Sequence, residues 1–373
     1  MTRWMRLSAV LLACVGLSAG PTAAASTPTD YDPYLGKLDP ETQRWFSAIF
    51  EIYAKAFVTS DGRVFDPQNG GITHSESQGY GMMLALLGGD AETFDRIWSF
   101  ARRHLQRPDK LFAWKYVPGR GITDRNNATD GEILIATALS LAAVRWNRTD
   151  YAAAAVPIAD AVGAKLILRH GPYTVLLRGE WARPDGVQQR VTINLSYFIP
   201  VAIRMMEALA PNHPWEDVYR DSFRILDDLI HPPSDWTSID ENGEPVPAAG
   251  FPRVFSYDAV RIPLYLAQGG YTHPNVTRYL REAWGDPDDT PHLHPFDVMT
   301  FEPQGRFWQS AYDFIYELMH CAETGEPVTA ESMGMSMENY FASSLHIMAI
   351  AGMYANYPHC YPRATGDRSA PRT

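Results

Sequence analysis

Glu41-Thr-Gln-Arg-Trp-Phe-Ser-Ala-Ile-Phe-Glu-Ile-Tyr53 spaces its apolar residues as one helix face does, with Trp45, Ile49 and Ile52 in line. The same 3.6-residue spacing recurs along the chain. Besides 41–57 it predicts helices over about 75–88, 91–106, 129–145, 150–168, 195–210, 214–230, 256–268, 274–284, 304–322 and 336–356. Strand signals are sparse. Val175-Leu-Leu and Val191-Thr-Ile predict one short hairpin between helices, with no βαβ rhythm and no nucleotide-type glycine loop. Consecutive helices follow one another through short turns, and even the Pro- and Gly-bearing loop from Asp235 to Arg253 stays inside the pattern. That organisation predicts one all-α domain over 41–360, built as a closed ring of helical hairpins rather than a four-helix bundle.

The two ends read differently. Arg3 and Arg6, the apolar run from Leu7 to Leu17 and the small residues Thr22-Ala-Ala-Ala25 have the form of a signal peptide over 1–25. The run is too short to span a bilayer. Cys14 within it offers a weaker alternative as a lipoprotein site. A leader segment, 26–40, precedes the first helix, and a polar tail over 361–373 is expected to be disordered. The protein is therefore expected to be periplasmic or extracellular.

The 373 residues are 46% hydrophobic and 20% charged, an ordinary globular composition. Net charge is −11, and loss of 1–25, which holds two arginines and no acid, makes it −13. An acidic chain with no Lys/Arg block is a poor partner for nucleic acid, so a neutral substrate is expected. Removal of the signal peptide leaves Cys321 and Cys360, which an oxidising compartment would allow to pair; spacing alone leaves this open. With no CxxC and no Cys/His cluster, neither a metal nor an organic cofactor is expected.

Three acids share one position, the start of a predicted apolar helix. They are Glu76 in Thr73-His-Ser-Glu-Ser-Gln-Gly-Tyr-Gly-Met82, Asp130 in Asn126-Asn-Ala-Thr-Asp-Gly-Glu132 and Asp258 in Phe255-Ser-Tyr-Asp-Ala-Val-Arg261. Such acids have a structural use. Thr73-x-x-Glu76 matches a capping box, Asn127-x-x-Asp130 resembles one, and Ser256 could cap the helix that holds Asp258. An acid in the first turn also offsets the helix dipole by about 0.3–1 kcal/mol. Their surroundings suggest more. Gly79, Gly81 and Gly131 stand where alanine would be better by roughly 1 kcal/mol each, as expected where something approaches the helix closely. Aromatics stand nearby: Tyr80, Trp114 and Tyr257. Carboxyls beside aromatic faces suit a sugar cleft, because pyranose rings stack on apolar planes while acids bind hydroxyls. Glycoside hydrolysis needs one protonated carboxyl and one ionised carboxylate. A helix start favours the ionised form, so a protonated Glu76 would require burial or a neighbouring carboxylate.

His74-Ser-Glu-Ser-Gln-Gly-Tyr-Gly-Met82, Asn127-Ala-Thr-Asp-Gly-Glu132 and Ser256-Tyr-Asp-Ala-Val-Arg-Ile-Pro263, together with Phe112-Ala-Trp-Lys115 and Asn194-Leu-Ser-Tyr197, resemble glycoside hydrolase family 8 in sequence and order. The resemblance spans about 40–360. It implies an (α/α)6 barrel and an inverting endo-1,4-β-glucanase acting on cellulose. By the same resemblance Glu76 would be the proton donor, Asp258 the base that activates water, and Asp130 the acid that holds the distorted sugar. Trp114 and Tyr197 would line the cleft and Arg261 would orient the base. Leu195 and Phe198 depart from the family's pattern around Tyr197. A single domain behind a signal peptide most resembles the periplasmic enzymes encoded with bacterial cellulose synthases, which implies a functional link to such a complex. A chitosanase or xylanase of the same family, or a non-catalytic glucan-binding protein, are the alternative readings.

Overall fold

The computed structural model of the protein describes residues 38–184, 190–287 and 293–362. The expected signal peptide, all but the end of the leader, and nearly all of the tail lie outside these residues.

The first helix, α1 (Pro40–Phe57), begins where Asp39 Oδ1 accepts the backbone N–H groups of Glu41 and Thr42 and Pro40 supplies a preset φ. Its buried stripe is Phe46, Phe50, Tyr53 and Phe57. The face expected from Trp45, Ile49 and Ile52 is therefore displaced by one residue, and Ile52 is half exposed. Both stripes satisfy the helical period. The larger aromatic one takes the interior because it buries more apolar area.

The remaining helices among the described residues are α2 (Ser75–Gly88), α3 (Ala91–Phe100), α4 (Thr129–Arg145), α5 (Thr149–Leu166), α6 (Pro200–Leu209), α7 (Trp215–Asp228), α8 (Arg261–Gln268), α9 (Pro274–Trp284), α10 (Ser310–Thr324) and α11 (Tyr340–Asn356). They sort by the width of the apolar face. Helices α2, α4 and α11 are buried on nearly all sides, whereas α7 buries Trp215, Val218, Ile225 and Leu226 and exposes Glu216 and Arg220. The widely buried helices form an inner ring. Around it α2 touches α4, α4 touches α6, and α6 touches α8; α8 then touches α10, α10 touches α11, and α11 returns to α2. Helices α1, α3, α5, α7 and α9 pack outside, and 325–339 joins α10 to α11 without a helix. The architecture is an (α/α)6 barrel. No helix among the described residues is long and apolar enough to cross a membrane.

Several elements differ from the expectation. The hairpin between Val175 and Val191 does not form. Ile167–His170 pairs with Tyr173–Leu176 across Gly171 and Pro172, so the end expected for α5 is a strand. Val191–Ile193 pairs instead with Thr237–Ile239 from the long loop. Each strand follows the partner that tertiary packing presents, which short-range sequence does not specify. The helix expected from 195 starts at Pro200, after a 3₁₀ turn over Leu195–Tyr197. The preceding Ile199 is extended, as the residue before a proline prefers to be. The helix expected from 256 starts at Arg261 and that expected from 304 at Ser310, both after irregular turns.

Cys321 in α10 and Cys360 beyond α11 form a fully buried disulfide. It fastens the last inner helices of the ring across a separation of 39 residues. Closing a loop of that length restricts the unfolded chain by about 4 kcal/mol. Reduction, or Cys321→Ser with Cys360→Ser, is expected to lower the unfolding free energy by about that amount. Guanidinium titration with and without dithiothreitol measures it, and coincident curves would remove the cross-link from the account of stability.

Candidate active site

Helices α2 and α4 cross with their first turns in contact, and glycine permits the approach. A Cβ on Gly79 would stand 2.6 Å from Leu134 Cβ, and one on Gly131 would stand 2.3 Å from Ser75 Oγ. The close partner inferred from these glycines is thus the neighbouring inner helix. The crossing brings the N-termini of α2 and α4, and with them Glu76 and Asp130, to the same end of the ring.

None of the three acids caps its helix in the way the sequence suggested. Ser77 Oγ, not Glu76, accepts the His74 backbone N–H at 3.1 Å, and Thr73 donates to Val64 O instead of capping. Asn127 is bound to Glu132 and to the Glu180 backbone. The turn bearing Asp258 is capped from another segment, by Asp235, whose Oδ1 accepts from Ser256 N and Ala259 N at 2.8 Å each. Asp130 Oδ1 accepts the adjacent Gly131 N–H at 2.9 Å, and all three carboxyls converge on one cation. Arg261 Nη1 donates to Glu76 Oε1 at 2.5 Å and to Asp130 Oδ2 at 3.0 Å, and Nη2 donates to Asp258 Oδ1. The Arg261 side chain is only 2% exposed, with its guanidinium 5.7 Å from the Tyr197 ring and 5.8 Å from the Phe341 ring.

The electrostatics follow from three acids sharing one cation in a buried place. Burial works against the charge of Arg261, but Glu76 and the other acids outweigh it, so the guanidinium holds its proton more firmly than usual. Asp130 is pushed up to about 7 by burial and then by the charge of Glu76, which Arg261 offsets only in part. Asp258 is also raised, by burial first, against Arg261 and Asn194, which favour its ionised form. Asp130 therefore has a neighbouring carboxylate that helps it keep a proton. The cluster keeps a proton beside Glu76 near neutral pH.

Two adjoining cavities meet at this cluster. The smaller, about 170 Å³, is lined by Trp114, Asp130 and Tyr197; the larger, about 580 Å³, by Tyr257, Trp308, Tyr312 and Asn339. Glu76, Asp258, Arg261 and His74 line both. The six residues singled out in the sequence thus come together. A cavity of about 600 Å³ beside α9 is as large but lacks the three acids gathered on one cation, so the lining chemistry and not the volume identifies the site. Tyr80 is the exception among the aromatics named near the acids. It is fully buried, its hydroxyl 2.5 Å from that of Tyr265, and it forms no part of the cleft wall.

The structure also adds residues. Tyr340, at the start of α11, donates to Glu76 Oε2 at 3.2 Å. His74 Nδ1 lies 3.0 Å from that hydroxyl, while the imidazole stacks on Trp114 with centroids 5.8 Å apart. Burial lowers the His74 pKa, which favours a neutral ring. Glu132, fully buried and pushed by burial up to about 8, accepts from Phe112 N at 2.8 Å and from Asn127 Nδ2 at 3.2 Å, fixing the loop that leads to Trp114. Trp308, 73% exposed, was concealed in sequence by assignment of its segment to a helix. His74 and Glu132 stand inside the recognised motifs, whereas Tyr340 has no local signal.

Residues 40–353 match the family described as Glycosyl hydrolases family 8. The probable endoglucanase of Novacetimonas hansenii is 35% identical over 277 residues, 72% of this chain and 78% of that protein. The endoglucanase of Cellulomonas uda is 34% identical over 236 residues, 60% of this chain and 64% of its own length. Among solved structures, the endo-β-1,4-glucanase CMCax from Acetobacter xylinum superposes with a TM-score of 0.75 at 30% identity, covering 84% of this chain and 99% of that one.

Asp130 binds its proton more tightly in the folded state, at about 7, than the ordinary Asp value of 3.8. The stability this protonated form contributes is complete below about pH 4 and is lost as pH rises through about 7. Asp130→Asn, uncharged throughout, is expected to melt above the unsubstituted protein at pH 8 and to have no such advantage at pH 4. Calorimetry at both pH values decides this; equal shifts at both would exclude ionisation as the cause.

Proposed function

The chain belongs to glycosyl hydrolases family 8, and from that premise we propose that it cleaves internal β-1,4 bonds of cellulose with inversion, using Glu76 as proton donor and Asp258 as the base that activates water. The observation that carries this reading is the gathering of Glu76, Asp130 and Asp258 on the buried guanidinium of Arg261, where two cavities meet. Glu76 and Asp258 bind different nitrogens of that guanidinium, which spaces their carboxyls. An inverting enzyme needs about 6.5–9.5 Å between them to admit a water molecule.

The roles follow from position. Asp130, protonated up to about neutral pH, lines the smaller cavity with Trp114 and Tyr197 and holds the sugar at the cleaved bond. Arg261 orients Asp258 and keeps it from turning away from the cleft. Burial and the crowding of Glu76 against Asp130 retain a proton within the cluster despite Arg261, and Glu76 protonates the leaving oxygen. Tyr257 and Trp308 offer exposed rings along the larger cavity, suited to stacking further sugars. Residues 1–25 have the form of a signal peptide, and the disulfide suits an oxidising compartment, so the enzyme works in the periplasm or outside the cell, trimming glucan made by a cellulose synthase.

One observation favours a second reading. Three acids against one buried arginine leave the cleft negative, which would also attract a cationic polymer such as chitosan.

Proton NMR of cellopentaose during hydrolysis by the mature protein tests the proposal. The α-anomer is expected to appear first, and Glu76→Gln and Asp258→Asn are each expected to lower kcat roughly 10³-fold. The β-anomer appearing first would overturn inversion. Cleavage of chitosan in preference to the glucan would shift the assignment to the second reading.

A further inference from the structure

Asp258 is held by a turn rather than by a helix, because α8 begins only at Arg261. That turn gains its shape from outside itself. Asp235, 9% exposed and 23 positions upstream of Asp258, accepts the backbone N–H of Ser256 and of Ala259 on the same oxygen, each at 2.8 Å. The two donors flank Asp258. A backbone bond from Asp235 N to Val254 O, 2.8 Å long, ties the two segments together just ahead of the turn. We propose that Asp235 is a positioning residue for the reaction, holding the Ser256–Ala259 turn so that the Asp258 carboxylate faces the cleft and placing a second carboxyl behind it. This inference rests on Asp258 being the base, as proposed above.

Every charged or titratable group facing Asp258 enters the balance. Arg261 on its own turn favours the ionised form, as does the Asn194 amide, while Asp130 from α4 opposes it. Glu76 from α2 shares the cavity, and Tyr197 ahead of α6 lines its wall. Asp235 stands behind this group, pushed by burial and then by the charge of Asp258 up to about 7 despite its two backbone donors. Two neighbouring carboxyls resist ionising together, so Asp258 ionises first and Asp235 keeps its proton behind it. The backbone bonds give the pair its geometry, and the uncharged state of Asp235 makes asparagine its conservative replacement.

The test measures kcat, KM and pH profile on a soluble glucan for Asp235→Asn, Asp235→Ala and Asp258→Asn, each checked for fold by circular dichroism and melting. Asp235→Asn keeps an oxygen for the two N–H groups but removes the charge. Because Asp235 is still protonated while Asp258 titrates, the acidic limb is expected to stay in place and kcat to remain well above that of the alanine variant. Asp235→Ala releases the turn, and kcat is expected to fall about 100-fold at nearly unchanged KM. A loss of kcat in Asp235→Asn as large as that in Asp235→Ala overturns the proposal, and so does a loss in Asp235→Ala no greater than the fraction unfolded. If Asp235→Ala does not fold, Asp235→Ser, whose shorter side chain falls short of the two N–H groups, takes its place in the comparison. Asp258→Asn separates the two readings: an active variant would remove Asp258 as the base, whereas an inactive one beside an undiminished Asp235→Ala would remove only the role of Asp235.

Discussion

One buried cation holds the site together. Arg261 is the first residue of α8 and nearly inaccessible, and its guanidinium is bound by acids from two other segments besides its own turn. Removing such a charge from water costs several kcal/mol, and only paired partners of good geometry repay it. A guanidinium suits this position because its planar fork presents several N–H donors in fixed directions, whereas an ammonium is a point charge on a flexible stem. The converse also holds, since three carboxyls so close together would repel one another without the cation. Placement of the three acids depends on this contact.

The barrel makes the contact possible. Helices α2 and α4 belong to the inner ring, and their close crossing at Gly79 and Gly131 carries the first turns to one mouth. First turns offer unpaired N–H groups and a positive dipole end, a favourable setting for carboxylates. Crowding works against that preference at Asp130. With Glu76 beside it and burial around it, Asp130 retains a proton to about neutral pH. The site is therefore less stable electrostatically than an apolar plug of the same shape, and the aromatic core, the helical ring and the Cys321–Cys360 link offset that cost.

Much of the ring was legible in the chain because amphipathic periodicity is local. Helices α2, α4 and α9 begin and end where the spacing places them, since Gly89, Pro274 and the acids of the first turns punctuate them. Elements that depend on distant partners were not legible. Val191 pairs with the Thr237 segment, and α8 is shortened by a turn whose donors are taken by Asp235. The aromatic stripe of α1 was misjudged by one residue because two faces of that helix satisfy the same period.

For the site, the residue types and their motifs were determined by sequence alone: three acids at helix starts, glycines where helices cross, and Arg261 one turn after Asp258. A motif encodes what lies within a few residues, and these features do. Only the tertiary structure decided that the three acids share one cation, that Asp235 rather than Ser256 caps the Asp258 turn, and that Tyr340 reaches Glu76 across a separation of 264 positions. It also decided that Tyr80 faces the core and Trp308 the cleft. The physical reason is the same in each case. Hydrogen bonds, burial and charge are set by distance in space, and closing the ring makes neighbours of residues that the chain keeps far apart.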